Sequence, residues 1–296
     1  MERYVLVTAA RNEERYIGRT LDAVAAQTVR PVRWVVISDG STDNTDAIAR
    51  EFAGRHGFID FVRCEDRTER AFSSQVYAQH FGCRRLKGLE YDFIGMLDGD
   101  ISFEPEYYAR VFDKFGADPK LGIAGGLVHE QHAGVFRCRE MSSVNSVAGG
   151  VQLFRRDCFE AIGGYIPMKW GGMDTVAEAM ARMRGWEARA FPELKAYHHK
   201  AHETWNPAGL RRRICEGRMD YSLGFSPAVE LVKCLRRLAV EPYLVGSAFR
   251  LWGYVSSALC RQERSAPQEV LEFMRQEHKR RLRMAIRTGL GRGSVA

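Results

Sequence analysis

Tyr91 to Asp100 reads YDFIGMLDGD, an apolar run with strand character that ends directly in Asp98-Gly99-Asp100. In a wound α/β sheet the ligand crevice lies just outside the carboxyl ends of the strands. Two carboxylates there, one residue apart, can hold a hard divalent cation that in turn holds phosphate oxygens. An isolated D-x-D is most often a solvated turn, so position gives this one its meaning. A second acidic turn, Ser38-Asp39-Gly40-Ser41, also follows an apolar run, Val32 to Ile37.

Outward from these turns the chain alternates strands and helices. Tyr4 to Val7 reads as a first strand, and Arg15 to Gln27 as a helix with Ile17, Leu21, Val24 and Ala25 at helical spacing. Pro31 breaks it before the second strand, and Asp43 is placed to cap a helix running to about His56. Phe58 to Cys64, Ala71 to Leu86 and Asp92 to Leu97 read as strand, helix, strand. Further on come a helix (Glu104 to Phe115), a strand (Leu121 to Gly126) and an unassigned polar stretch (His129 to Asn145). A strand (Val147 to Phe154), a helix (Met173 to Arg184) and a short strand ending near Pro192 follow. This order predicts βαβ units and an α/β fold with a mostly parallel sheet flanked by helices.

The 296 residues are 45% apolar and 27% charged, ordinary for a globular chain with ample core. Seven scattered cysteines form no C-x-x-C pair, which argues against a zinc ribbon or a disulfide framework and suits a reducing compartment. The opening MERYVLVTAARNEE lacks a basic start and a long apolar core, so a cytoplasmic location is expected. Charge divides the chain. Residues 1–205 carry 27 Lys/Arg against 29 Asp/Glu, whereas residues 206–296 carry 17 against 8, a net +9. We therefore expect two parts, a catalytic 1–205 and a basic helical extension 206–296 with an anionic partner.

Five ordered motifs resemble the family-2 glycosyltransferases of the GT-A fold. They are Thr8-Ala9-Ala10-Arg11-Asn12-Glu13-Glu14, the strand and turn Val35 to Asp43, Asp98-Gly99-Asp100, Met173-Asp174 before a helix and Gly185-Trp186, and His198-His199. The match covers roughly residues 3–205. Arg70 to Ser74, Val147 to Arg156 and the basic C-terminal helices also resemble a bacterial branch that builds surface polysaccharides. The resemblance implies an inverting, metal-dependent transferase that moves a sugar from a nucleotide-diphosphate donor to a glycan or lipid-linked acceptor.

Carried onto this sequence, the resemblance gives Thr8, Ala10, Glu13, Asp39, Arg70 and Asp98 to the donor, and Asp100 and His198 to Mg²⁺ or Mn²⁺. Asp39 can accept from a base edge or a ribose hydroxyl, and an Asp before Gly-Ser also serves a plain turn. Asp98 would reach the ribose or metal-bound water. His199 competes with His198, and either would tilt the site towards Mn²⁺. Asp174 is the candidate general base, although an Asp starting a helix also suits the helix dipole. The family's usual acid before it is Met173 here, and Glu178 is the fallback. Arg67 and Arg70 could pair with diphosphate oxygens or simply face water, because the family's commoner Asn-x-Gly is missing. Trp170, after Lys169 and before Gly171-Gly172, reads as a sugar-stacking platform or as core.

In the extension, Ala228, Leu231, Val232, Leu235, Leu238 and Ala239 share one helical face, with Lys233, Arg236 and Arg237 opposite. Such a helix can lie on an anionic bilayer. Tyr243 to Leu259 falls short of the ~20 residues a spanning helix needs, and Arg250 interrupts it. The expected place is thus the cytoplasm, peripheral to the inner face of the cell membrane. No interleaving of aromatic and basic residues suggests nucleic acid. Two alternatives stand beside the transferase. A nucleotidyltransferase would want a glycine-rich basic turn after strand one, and a non-catalytic sugar-nucleotide or membrane-binding module would fit Met173.

Overall fold

A computed structural model describes residues 2–64, 72–132, 134–139, 142–200, 207–239 and 241–287. Two compact units emerge, one of residues up to Tyr165 with those from Met173 to about 200, the other of Ile166–Gly172 with the C-terminal helices.

The first unit is built on one nine-stranded sheet. Its strands are β1 (Tyr4–Ala10), β2 (Arg33–Asp39), β3 (Ile59–Cys64), β4 (Phe93–Leu97), β5 (Ile101–Phe103), β6 (Leu121–His132), β7 (Val135–Cys138), β8 (Val151–Arg155) and β9 (Glu187–His198). The order is β3-β2-β1-β4-β8-β6-β9-β5, with β7 paired to β6. Helices α1 (Ile17–Ala25), α2 (Thr45–Arg55), α3 (Phe72–Arg85), α4 (Tyr107–Ala117), α5 (Arg156–Ile162) and α6 (Met173–Met183) flank it. This is the expected α/β class.

β1, β2, β3 and β4 run parallel, and β1 and β4 are buried along almost their whole length. A parallel sheet covered on both faces needs near-continuous apolar strands, which YVLV and FIGML supply. Beyond β4 the sheet is mixed: β8 lies antiparallel to both β4 and β6, while β6 and β9 are parallel. The mostly parallel pattern thus holds only for the first half. Alternation of strands and helices weakens after α4, and with it the geometric reason for parallel pairing.

Other differences are local. Asp43 does not stand at the helix N-cap, which is Asn44, but its Oδ1 still accepts from Thr45 N at 3.0 Å. The polar stretch from His129 forms the end of β6 and the β7 hairpin. β9 does not end near Pro192. The ladder to β6 shifts register between Phe191 and Lys195 and continues to His198, so an irregularity absorbs the proline and the strand resumes. Arg67 and Arg70 lie outside the described residues.

The second unit holds α7 (Pro207–Ser222), α8 (Pro227–Arg236), α9 (Tyr243–Leu259) and α10 (Gln268–Arg287). A Cβ on Gly217 would strike the Arg250 carbonyl, and one on Gly253 the Ile214 carbonyl, so α7 and α9 cross backbone to backbone. Arg250 turns into the unit. Its Nε donates to Glu230 Oε1 at 3.0 Å and its Nη1 to Glu216 Oε2 at 2.8 Å, and its Nη2 also pairs with Asp220. Lys233, expected on an outward basic face, instead holds buried Asp220 at 2.8 Å. Trp170 belongs to this unit, with the Arg218 guanidinium 4.8 Å over its ring. No described helix is long and apolar enough to cross a membrane.

Candidate active site

The site forms where β1, β2 and β4 end. Two turns are fastened to each other there. Asn12, at φ +51°, accepts from Thr42 N at 2.9 Å through Oδ1 and donates its own N–H to Ser41 Oγ at 3.2 Å. Glu13 N donates to Thr45 Oγ1 at 2.7 Å, and Glu14 N to Asp43 Oδ2 at 3.1 Å. Polar side chains in these turns thus replace the missing ladder and fix the loop after β1 against the loop after β2. Asp39 closes β2 and is partly exposed beside Gly40, whose φ of +68° makes the sharp exit. Ala10 is buried. Thr8 is wholly buried, and its Oγ1 accepts from Trp34 Nε1 at 3.0 Å.

Asp98 and Asp100 follow β4 directly. Gln75 Nε2 on α3 donates to Asp98 Oδ1 at 3.0 Å, and Asp98 N donates to Gly150 O at 3.0 Å. Burial, with the charge of Asp100 adding to it, pushes the Asp98 carboxyl up to about 6. Burial would raise Asp100 as well, but the His198 hydrogen bond and the charges of His198 and Lys200 hold it below the usual carboxylate range.

His198 ends β9, and its Nε2 lies 3.1 Å from Asp100 Oδ2. The pairing of Ile101 with His198 in the β5–β9 ladder brings these distant residues together. His199 is occupied elsewhere: Nδ1 is 3.1 Å from Arg19 Nη1 and Nε2 is 2.7 Å from Ser102 Oγ. Of the two histidines it is therefore His198 that meets Asp100.

Asp174 begins α6, and its Oδ1 accepts from Thr175 N at 2.8 Å. Burial raises its carboxyl, partly offset by the N–H groups of Thr175 and Gly149. Between Asp98 and Asp174 sits Gly149-Gly150. A Cβ on Gly150 would collide with the Asp98 carboxylate, and one on Gly149 would stand 3.1 Å from Asp174 Oδ2. Both acids press on the same bare backbone turn, and Asp98 feels the charge of Asp174. Glu178, the fallback base, is corrected to a brace. It is 2% exposed and its Oε1 accepts from Val147 N at 2.6 Å, holding the Gly149-Gly150 segment from behind.

Two participants carried no motif signal, Gln75 and Lys200, whose Nζ lies 2.5 Å from Glu13 Oε1, and the Gly149-Gly150 turn lay within the Val147 to Arg156 stretch without being read as a spacer. A cation one residue past the late histidines was the only hint of Lys200.

Among the described residues no group of three or more His, Cys, Asp or Glu side chains is arranged to hold a metal ion. The residues present nonetheless fit one shared with a ligand. Asp100 Oδ1 is buried without a hydrogen-bond partner, and the other Asp100 oxygen stands beside an imidazole nitrogen. Mg²⁺ and Mn²⁺ commonly take a few protein ligands and complete their shell with phosphates and water.

Residues 5–171 match the family model Glycosyl transferase family 2, and the chain belongs to that family. It is similar to the glucosyl-dolichyl phosphate glucuronosyltransferase of Haloferax volcanii, 26% identical over 182 residues, which are 54% of this chain and 55% of that one. It is also similar to the poly-beta-1,6-N-acetyl-D-glucosamine synthase of Staphylococcus epidermidis, 24% identical over 52% of this chain and 40% of that one. The chain thus spans about half the length of such relatives, or less. Among solved structures, the mannosyltransferase PcManGT of Pyrobaculum calidifontis, in complex with GDP-Man and Mn²⁺, aligns at TM-score 0.57 and 17% identity, over 97% of this chain and 82% of that one. TarS 1–349 of Staphylococcus aureus in complex with UDP-GlcNAc aligns at 0.54 and 13%, over 88% and 92%. At these identities the likeness shows the fold, which is GT-A.

Proposed function

We propose that this chain is an inverting glycosyltransferase that moves a sugar from a nucleotide-diphosphate donor to a glycan or lipid-linked acceptor in surface-polysaccharide synthesis. One observation carries the reading. Asp98 and Asp174 flank the Gly149-Gly150 turn and Asp100 meets His198, so side chains from three separate segments gather at the carboxyl end of the sheet. The family membership and the nucleotide-sugar complexes of the structural relatives support it.

In this reading Asp39 accepts from the base or ribose, and Asp98, steadied by Gln75, accepts from the ribose. Asp100 and His198 hold Mg²⁺ or Mn²⁺, which when bound neutralises charge on the departing diphosphate. Asp174 takes the proton of the acceptor hydroxyl as that oxygen bonds to the anomeric carbon. The bond from that carbon to the diphosphate oxygen breaks with its electron pair leaving on the diphosphate, so one displacement inverts the centre. Burial that raises Asp174 makes it a better base than a free aspartate. Lys200 is placed to add positive charge near the phosphates.

The test is a panel of UDP-, GDP- and dTDP-sugars offered to the full chain with Mg²⁺ or Mn²⁺, with nucleoside diphosphate release measured and product anomers read by NMR. Release from one donor class, with an inverted product when an acceptor glycan is added, is expected. No release from any donor, or a retained anomer, overturns the reading.

A further inference from the structure

We propose that the outward faces of α8 and α9 form a docking surface for an anionic lipid bilayer. A helix on a water-facing surface normally buries its apolar side. α9 does the reverse. Inward it presents Gly246, Ser247, Arg250, Gly253, Tyr254 and Ser257. Outward stand Leu244, Val245, Phe249, Trp252, Val255 and Leu259, with Leu244 66%, Trp252 61% and Leu259 76% exposed.

The polar side has been consumed by the fold. Small residues let α7 approach, and the charge of Arg250 is answered by Glu216, Asp220 and Glu230 inside the unit. α8 follows the same inversion, with Glu230 and Cys234 inside and Leu231, Val232 and Leu235 outside, and Leu238 in the turn after it is exposed too. The two helices are neighbours, since Ser247 Oγ donates to Cys234 O at 2.9 Å. Apolar exposure on this scale marks a surface that works in contact with something other than water.

Charge selects the occupant. Residues 206–296 carry a net +9, and from Tyr243 to Leu259 the single charged residue, Arg250, is turned inward. Exposed Arg236 and Arg261 stand at the ends of the two helices. An uncharged apolar strip in a segment of net positive charge, with exposed Glu241 and Glu263 close in sequence to those arginines, fits acyl chains beneath anionic headgroups, and Trp252 and Tyr243 suit the boundary between them. Seventeen helical residues lying flat run about 25 Å. This mode differs from the one expected from sequence. Lys233 is locked on Asp220, so apolar insertion provides the hold and cations only assist. The inference touches the function proposed above only in that a lipid-linked acceptor would be met at such a surface.

The experiment is sedimentation of the full chain, without donor, with phosphatidylcholine vesicles with and without phosphatidylglycerol. Binding to the anionic vesicles, only partly released by high salt, is expected. Changing Leu244→Ser, Trp252→Ser and Leu259→Ser together should lower partitioning about 100-fold while nucleoside diphosphate release is unchanged. A second readout does not depend on that variant folding. Brominated lipids should quench tryptophan fluorescence in the wild type, and this quenching should largely vanish in Trp252→Phe. Absence of vesicle binding, equal partitioning by the triple variant, or equal quenching in Trp252→Phe overturns the proposal. So does a lipid-indifferent dimer that the triple variant dissolves, since a second copy would then cover the face. Because vesicle binding needs no donor, its failure leaves the transferase reading standing, and the reverse holds too.

Discussion

Asp174 and Asp98 occupy similar positions beside one glycine turn and are given different work. Asp98 is held by Gln75 and, through its own N–H, by the Gly150 carbonyl, so it is placed to bind. Asp174 accepts from the backbone N–H groups of Thr175 and Gly149 and is nonetheless raised by burial, which suits proton transfer. Asp174→Asn should therefore lower turnover by about 10² to 10⁴ and leave donor affinity nearly unchanged, as titration of donor alongside kcat would show. Collapse of donor binding with turnover retained would make Asp174 a donor-site residue instead. The two sequential carboxylates were legible because an apolar run stops abruptly at them. The choice between His198 and His199 was not, because adjacent strand residues point to opposite faces and only the pairing of Ile101 with His198 says which face meets Asp100.

At the scale of elements, the segment before β8 sets the distance between the acids. Gly150→Ala puts a methyl group into the Asp98 carboxylate and should reduce donor binding as well as turnover, whereas Asp174→Asn affects turnover alone. The brace behind this segment gives a pH signature. Burial pushes the Glu178 carboxyl up to about 7, above its unfolded value of 4.5. Between those values the fold keeps a proton that the unfolded chain has lost, so this contribution is full below pH 4.5 and fades as pH rises through about 7. Glu178→Gln has no such proton to lose. Its melting temperature relative to the wild type should thus be higher at pH 8 than at pH 5, and a gap independent of pH would contradict the brace as described. None of this showed in the sequence, where Glu178 read as a spare acid one turn along a helix and Gly149-Gly150 as part of a strand. Glycine carries no mark of which side chains will crowd against it.

For the whole molecule, the strand-helix alternation, the charge step near residue 206 and the metal-type turn were all visible in the chain. The direction of α8 and α9 was not. Helical periodicity separates two faces but does not say which one packs, and here Gly217 and Gly253 decide it by letting α7 lie against the small-residue side. Gly253→Ala should destabilise the helical unit by about 1–3 kcal/mol, visible in denaturant unfolding, because the added methyl meets backbone that cannot step aside.

The central claim is that Asp100 and His198 hold a divalent ion together with the donor diphosphate. Electron paramagnetic resonance of Mn²⁺ tests it without relying on turnover. With the donor that the panel selects, the wild-type chain should diminish the free Mn²⁺ signal well beyond what donor or chain does alone. Asp100→Ala should lose that cooperation while its melting temperature stays close to the wild type's. Equal capture of Mn²⁺ by the wild type and a folded Asp100→Ala would place the ion elsewhere and contradict the claim.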